Sequence, residues 1–379
     1  MRERVKYTAV LIAVILPTAI NLAIVARGYD GGPYLRGDCP YYYATAISLL
    51  RDRDLDLGNQ LPPNALSGGV ALATDGRIVP KHPILLPIVS APFIGALGMP
   101  GALVFNLVQF TVLLWFMFAL AQAAGSRPWI AAAAVVLTYA GTSLPHYAWN
   151  YSPDLLAATV LCGATVAAAR AESQAGFFLA GALCGLSVAA KYPLLLCVPG
   201  VALIPSRWTQ ARAAAFASGL LLPLAGLAWQ NTHLFGAPWI TSYDRIAYVD
   251  GGRVTVYSQR SDFIEPLVSG MRGQLFDRQH GLLTTSPVTL ISILGVARLA
   301  RMRPRLAAHV AVASLALFLF YSAYREWPAS HYGNRFLLPA AALCVAPLAV
   351  FLQTVADARH RTTRRAGRAQ TSTPDPTAV

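Results

Sequence analysis

The chain has 379 residues, of which 55% are hydrophobic and only 12% charged, with a mean hydropathy of +0.49. A soluble domain carries about 25% charged residues, so this composition excludes an ordinary water-soluble globule. The formal net charge of +13 does not indicate nucleic acid, because the basic residues are dispersed at the ends of apolar runs, where they mark membrane topology.

Spanning a bilayer takes about 20 mostly apolar residues per helix. No segment alternates as a barrel strand would. The fold class is therefore an all-α polytopic membrane protein with about ten transmembrane helices. Expected spans lie near 7–26, 101–122, 128–147, 153–170, 175–190, 192–205, 213–234, 281–300, 306–323 and 335–356. The first reads as an uncleaved signal-anchor, since its apolar run exceeds that of a signal peptide and no small-x-small cleavage site follows. Residues 83–98 are apolar but interrupted by Pro83, Pro87 and Pro92, which suits an interfacial or re-entrant segment. Lys191-Tyr192-Pro193 breaks the 175–205 run, as in a broken helix whose bend reaches a polar cavity.

The short loops near Arg127, Arg170, Arg207 and Arg212, and the Arg298, Arg301, Arg303, Arg305 cluster, set the cytoplasmic side. Both termini then lie in the cytoplasm, with a plasma (inner) membrane as the location. Two long loops, 27–82 and 235–280, fall on the extracytoplasmic face, where long loops tend to carry function. Residues 1–357 read as one transmembrane domain. The Arg-, Thr- and Pro-rich residues 358–379 read as a disordered basic tail near anionic headgroups. Of five cysteines, only Cys39 lies in a loop, and no disulfide framework or zinc spacing is present.

The first loop opens Gly37-Asp38-Cys39-Pro40-Tyr41-Tyr42-Tyr43. Tyr42, Ala46, Leu49 and Leu50 then share one helical face, as in a short interfacial helix. Asp38 has two readings: a helix cap before Pro40, or a carboxylate that takes a proton from a hydroxyl or holds a divalent cation.

Gly37-Asp38-x-Pro40-x-Tyr42 with Ser48–Leu57, then Lys81-His82-Pro83-Ile-Leu-Leu-Pro87, Phe235-Gly236-x-Pro238, Gln279-His280-Gly281-Leu-Leu283 and Tyr332-Gly-Asn-Arg335-Phe-Leu-Leu-Pro339 follow one another along the chain. In that order they resemble the landmarks of bacterial GT-C-fold glycosyltransferases, the relatives of protein O-mannosyltransferases and lipid A aminoarabinose transferases. The resemblance runs over most of residues 1–350. It implies a polyprenyl-phosphate-linked sugar as donor, hexosyl or pentosyl, and a lipid, glycan or protein acceptor. It further implies Asp38 as base, Lys81, His82 and Arg335 around the lipid phosphate, and direct displacement with inversion. Tyr42, Asp154, Lys191, Arg278, His280 and His331 are the further candidates for donor or acceptor contact. That family commonly has Asp-Glu where this chain has Asp38-Cys39, and a thiol cannot replace a carboxylate as hard-metal ligand or unperturbed base.

Bland readings stand beside these roles. Lys81 and Arg335 could merely reach for headgroups from the ends of apolar segments. Ser152-Pro153-Asp154 makes a good cap, first-turn proline and dipole-matched acid for the following span. Two other functions remain open: a transporter, which should bury paired ionisable groups in its spans, and a catalytically silent prenyl-lipid-binding component, which Cys39 supports. No resident cofactor follows from the sequence.

Overall fold

The computed structural model describes residues 2–27, 37–62, 68–250, 253–329 and 332–371. Helix α1 (Arg2–Val10) passes through a wide π turn at Leu11–Ile15 into α2 (Leu16–Ala26). That turn lies directly before Pro17, whose ring cannot sit behind the carbonyl of Ala13 in a regular helix. Together they make one apolar span, Val5–Ala26. Helix α3 (Cys39–Arg51) follows; of the face expected over Tyr42, Ala46, Leu49 and Leu50, Tyr42 and Ala46 are buried, Leu49 is half-buried and Leu50 is exposed.

A hairpin of β1 (Val70–Leu72) and β2 (Ile78–Pro80) leads into α4 (Leu85–Leu97), a short apolar helix with Pro92 inside it. The bundle then takes α5 (Met99–Ala123), α6 (Pro128–Ala140), α7 (Pro153–Arg170) and α8 (Gln174–Ala190). After α8 the chain breaks at Lys191, forms a 3-10 turn over Tyr192–Cys197, and resumes as α9 (Val198–Leu203) and α10 (Gln210–Phe235). The second outer loop holds β3 (Ile246–Asp250), β4 (Arg253–Tyr257), α11 (Leu267–Phe276) and α12 (Leu282–Thr285). The chain closes with α13 (Pro287–Met302), α14 (Pro304–Ser322), α15 (Leu338–Leu343) and α16 (Val345–Thr371).

Five helices are long and apolar enough to cross a membrane, and α15 with α16, bent by 42°, makes a sixth span if taken as one. The ten spans expected from sequence are not all of bilayer length. Helices α4, α6, α8 and the Tyr192–Leu203 segment are apolar but short, at 10–17 residues. The expected 128–147 span stops at Ala140 and turns over Leu144–Ala148 as a 3-10 helix. The 281–300 span is likewise split at Ser286 between α12 and α13. The chain is a membrane protein, nearly all-α.

Two features were not legible in the sequence. The outer loops are joined in one antiparallel sheet of order β2-β1-β3-β4, with Val70 opposite Ala247 and Ala71 opposite Ile246. In addition, α16 runs helical through Ala358 to Thr371, over residues read as tail; alanine and arginine in this stretch are both good helix formers.

Helix α7 is buried along most of its length at the centre of the core, whereas α10 is largely exposed to the surroundings. Helices α8 and α10 approach through small residues. A Cβ on Gly181 would lie 2.1 Å from the Phe216 carbonyl oxygen, and one on Gly219 would lie 2.1 Å from that of Phe178. In lipid, such close contact replaces the hydrophobic drive that water supplies elsewhere. All five cysteines are free, and Cys39 is buried, its thiol donating to Asn150 Oδ1 at 2.9 Å.

Candidate active site

Asp38 occupies the position just before α3, but its side chain makes no capping hydrogen bond. Its carboxylate turns the other way. Oδ2 accepts from Arg335 Nη1 at 3.1 Å, and Oδ1 lies 3.5 Å from His82 Nε2. Of the two readings of Asp38, capping is therefore not the one its side chain adopts.

His82 is fixed on three sides. Its ring stacks on Tyr42 with centroids 4.9 Å apart, and Nδ1 lies 3.1 Å from the Tyr243 hydroxyl. A carboxylate only accepts, so the nitrogen facing Asp38 carries the proton and Nδ1 accepts from Tyr243. Burial pushes the His82 pKa down, against the pull of Asp38, so the imidazole is neutral at pH 7. Burial of Tyr243, with the nearby acidic groups, raises its hydroxyl well above the ordinary range and keeps it a donor.

Lys81 ends the β2 edge, and its Nζ donates to the Gly68 carbonyl at 2.9 Å. Burial lowers its pKa, with Asp38 opposing. Burial alone would raise the Asp38 carboxyl, but His82, Arg335 and Lys81 outweigh it and hold it well below the usual carboxylate range. With His82 neutral, Arg335 and Lys81 carry the charge that keeps Asp38 ionised.

Arg335 is held from behind. Asn334 accepts from Phe336 N at 3.0 Å and donates to Gln274 Oε1 at 2.9 Å, and Gln274 donates to Ser322 Oγ at 2.6 Å. Helices α11 and α14 thus anchor the loop that presents the guanidinium. Its Nε is buried without a hydrogen-bond partner among the described residues. An unpartnered donor this deep marks a place for a further acceptor.

Asp154 is in the first turn of α7, as expected, but pairs with Lys191 rather than acting only on the helix end. Both are buried, at 2% and 12% side-chain exposure. Lys191 Nζ lies 4.5 Å from the centroid of Phe336, and Arg335 Cζ lies 5.0 Å from the same ring. One aromatic ring therefore separates the Asp38–Arg335 pair from the Lys191–Asp154 pair.

Asp38, Lys81, His82 and Arg335 line one chamber of about 310 Å³, together with Tyr243, Tyr324, Asp262 and Glu326. A second, apolar chamber of about 250 Å³ shares Tyr243, Tyr324 and Phe336 with it and reaches Lys191, Phe263 and Phe320. Tyr42 belongs to the cluster through His82. Arg278 and His280 do not line either chamber: Arg278 is exposed, and His280 turns onto Asp277, with its N–H 2.8 Å from Oδ1. His331 lies outside the described residues. Sequence reasoning missed Tyr243, whose only local signal is the Thr241–Asp244 capping box beside it.

The donors around Asp38 do not suit a divalent cation. One carboxylate faces a guanidinium, an ammonium and an imidazole N–H, and no group of three His, Cys, Asp or Glu forms a metal site among the described residues.

No protein-family model and no curated protein sequence matches this chain. Among solved structures, the crystal structure of ArnT from Cupriavidus metallidurans bound to undecaprenyl phosphate aligns with a TM-score of 0.50 at 14% sequence identity, over 89% of this chain and 59% of that one. The likeness is one of fold. The chain has the GT-C-type fold that its ordered motifs resemble, over somewhat more than half the length of that neighbour.

Proposed function

We propose that this chain is a membrane glycosyltransferase that takes a sugar from a polyprenyl-phosphate donor and passes it to an acceptor hydroxyl at the extracytoplasmic face. The observation that carries the reading is the convergence of Asp38, His82, Lys81 and Arg335 on one chamber beside an apolar one, in a GT-C fold. That pairing of chambers fits an anionic phosphate joined to a hydrocarbon tail. The neighbour's bound undecaprenyl phosphate has the same two parts.

Breaking the bond between anomeric carbon and phosphate leaves negative charge on phosphate oxygens. Fixed cations stabilise that charge without reorganising. Lys81 and Arg335 are such cations, and the unpartnered Arg335 Nε is an available donor. The acceptor hydroxyl needs a base opposite the leaving group. Asp38 is that base, and in-line displacement inverts the anomeric centre.

In the free site Asp38 is a weak base, because the cations hold its pKa down. A lipid phosphate arriving at Arg335 and Lys81 takes up their charge. The Asp38 pKa then rises and its basicity with it, so donor binding arms the base. His82, stacked and neutral, positions Asp38 through its protonated Nε2.

The test is turnover by purified chain in lipid vesicles supplied with radiolabelled polyprenyl-phosphate hexoses and pentoses and crude envelope acceptor. Released polyprenyl phosphate together with label in acceptor supports the reading. Tight donor binding with no release across the panel, with or without divalent cations, would replace it with a silent lipid-binding role.

A further inference from the structure

A second polar concavity lies at the other end of the bundle. Helix α7 runs from Asp154, beside the chambers, to Arg170; sixteen residues at 1.5 Å each separate them by about 24 Å. Helix α14 does the same between Tyr321 and Arg305. Around these far ends is a basin of about 560 Å³, lined by Arg170, Arg303, Arg305, Glu172, Ser206 and Met302 among others.

The basin is built and not neutralised. Arg170 Nη2 donates to the Ala119 carbonyl at 3.3 Å, and Arg305 donates to that of Pro205. Arg212, from α10, donates to the carbonyls of Glu172 at 2.6 Å and Arg207 at 3.1 Å, fixing the rim. Carbonyls orient these guanidiniums without cancelling their charge. Glu172 makes no ion pair with any of them among the described residues, and Arg303 has no side-chain partner there. Three arginines therefore face one acid in a concave, partly polar site. A guanidinium's planar fork of donors matches phosphate oxygens.

We propose that this basin binds the phosphate headgroup of an anionic membrane lipid. The arginines stand at the ends of two bilayer-length apolar helices, α7 and α14, which is headgroup depth. Met302, 43% exposed, gives the same basin an apolar wall where an acyl chain begins. The site is remote from the Asp38 chamber, and the proposal does not depend on the transferase reading.

The experiment is native mass spectrometry and thermal melting of the full chain in detergent, titrated separately with phosphatidylglycerol, phosphatidylcholine and inorganic phosphate. Wild type should retain phosphatidylglycerol at least ~10-fold more tightly than phosphatidylcholine, and the melting temperature should rise with it. The triple variant Arg170→Gln/Arg303→Gln/Arg305→Gln should lose that preference. Arg303→Glu alone, which removes no side-chain hydrogen bond or ion pair seen among the described residues, should weaken it about tenfold. A control triple of equal charge loss at exposed positions elsewhere, Arg51→Gln/Arg253→Gln/Arg272→Gln, should keep it. Unchanged lipid preference in the Arg303→Glu and basin variants, or equal loss in the control, would overturn the proposal. Stabilisation by inorganic phosphate equal to that by lipid would overturn the lipid assignment in favour of a soluble phosphate ligand.

Discussion

The proposed role of Asp38 rests on where its carboxylate points. The carboxylate stands at a helix start, where backbone N–H groups could donate to it, yet it turns to Arg335 and His82. Of the chamber's two cations only Lys81 titrates in an accessible range, since arginine stays charged. Burial lowers the Lys81 pKa, and a lysine must be charged to hold phosphate, so activity is lost as pH rises through that lowered value. Lys81→Arg keeps its charge at any accessible pH; the alkaline limb of the kcat/KM profile should move upward in that variant, and an unmoved limb would take Lys81 out of phosphate binding. Deeper in, Lys191 and Asp154 form a pair with little exposure. Removing one partner strands the other charge, a loss of about 3–5 kcal/mol. Lys191→Met should therefore melt well below wild type, and Asp154→Asn/Lys191→Met should recover most of the difference. Additive losses in a double-mutant cycle would mean the pair is not coupled.

Among the elements, the interface of α8 and α10 and the sheet between the loops make the sharpest predictions. A Cβ at Gly181 would meet the Phe216 carbonyl oxygen at 2.1 Å, so Gly181→Leu must push the two helices apart. We expect a loss of about 2–4 kcal/mol, in the range of overpacked cores and above, read as a fall in melting temperature. Gly226, on the facing helix α10, has open space around it, and Gly226→Ala should be neutral or slightly stabilising, since alanine is the better helix former by about 1 kcal/mol. Comparable losses at the two glycines would contradict the packing described. The sheet explains how residues from two loops meet. Lys81 and His82 follow β2, Tyr243 precedes β3, and β1 pairs with both strands. Its strands are three to five residues long, too short to show an alternating pattern, so sequence gave no sign of it. The residues of the motifs were legible because order along the chain survives divergence. Their partner Tyr243 was not, because the contact with His82 crosses 161 positions and leaves no local trace. The span count is not fixed by sequence for a related reason: apolar composition reports burial in lipid or in protein alike, and α4, α6 and α8 are apolar without bilayer length.

For the molecule as a whole, a GT-C-type bundle carries the chamber that, on the proposed function, would receive a lipid phosphate. Cys39, where the resembled family commonly has an acid, is buried and hydrogen-bonded to Asn150, so on the proposed function the chemistry would rest on Asp38 alone. The measurement that tests this most directly compares wild type with Asp38→Asn for both donor binding and single-turnover sugar transfer. Asparagine keeps the shape and removes the base. The account predicts donor affinity within a few-fold of wild type and a transfer rate lower by about 10²–10⁴, the usual worth of a general base. Transfer by Asp38→Asn at the wild-type rate would contradict the account at its centre.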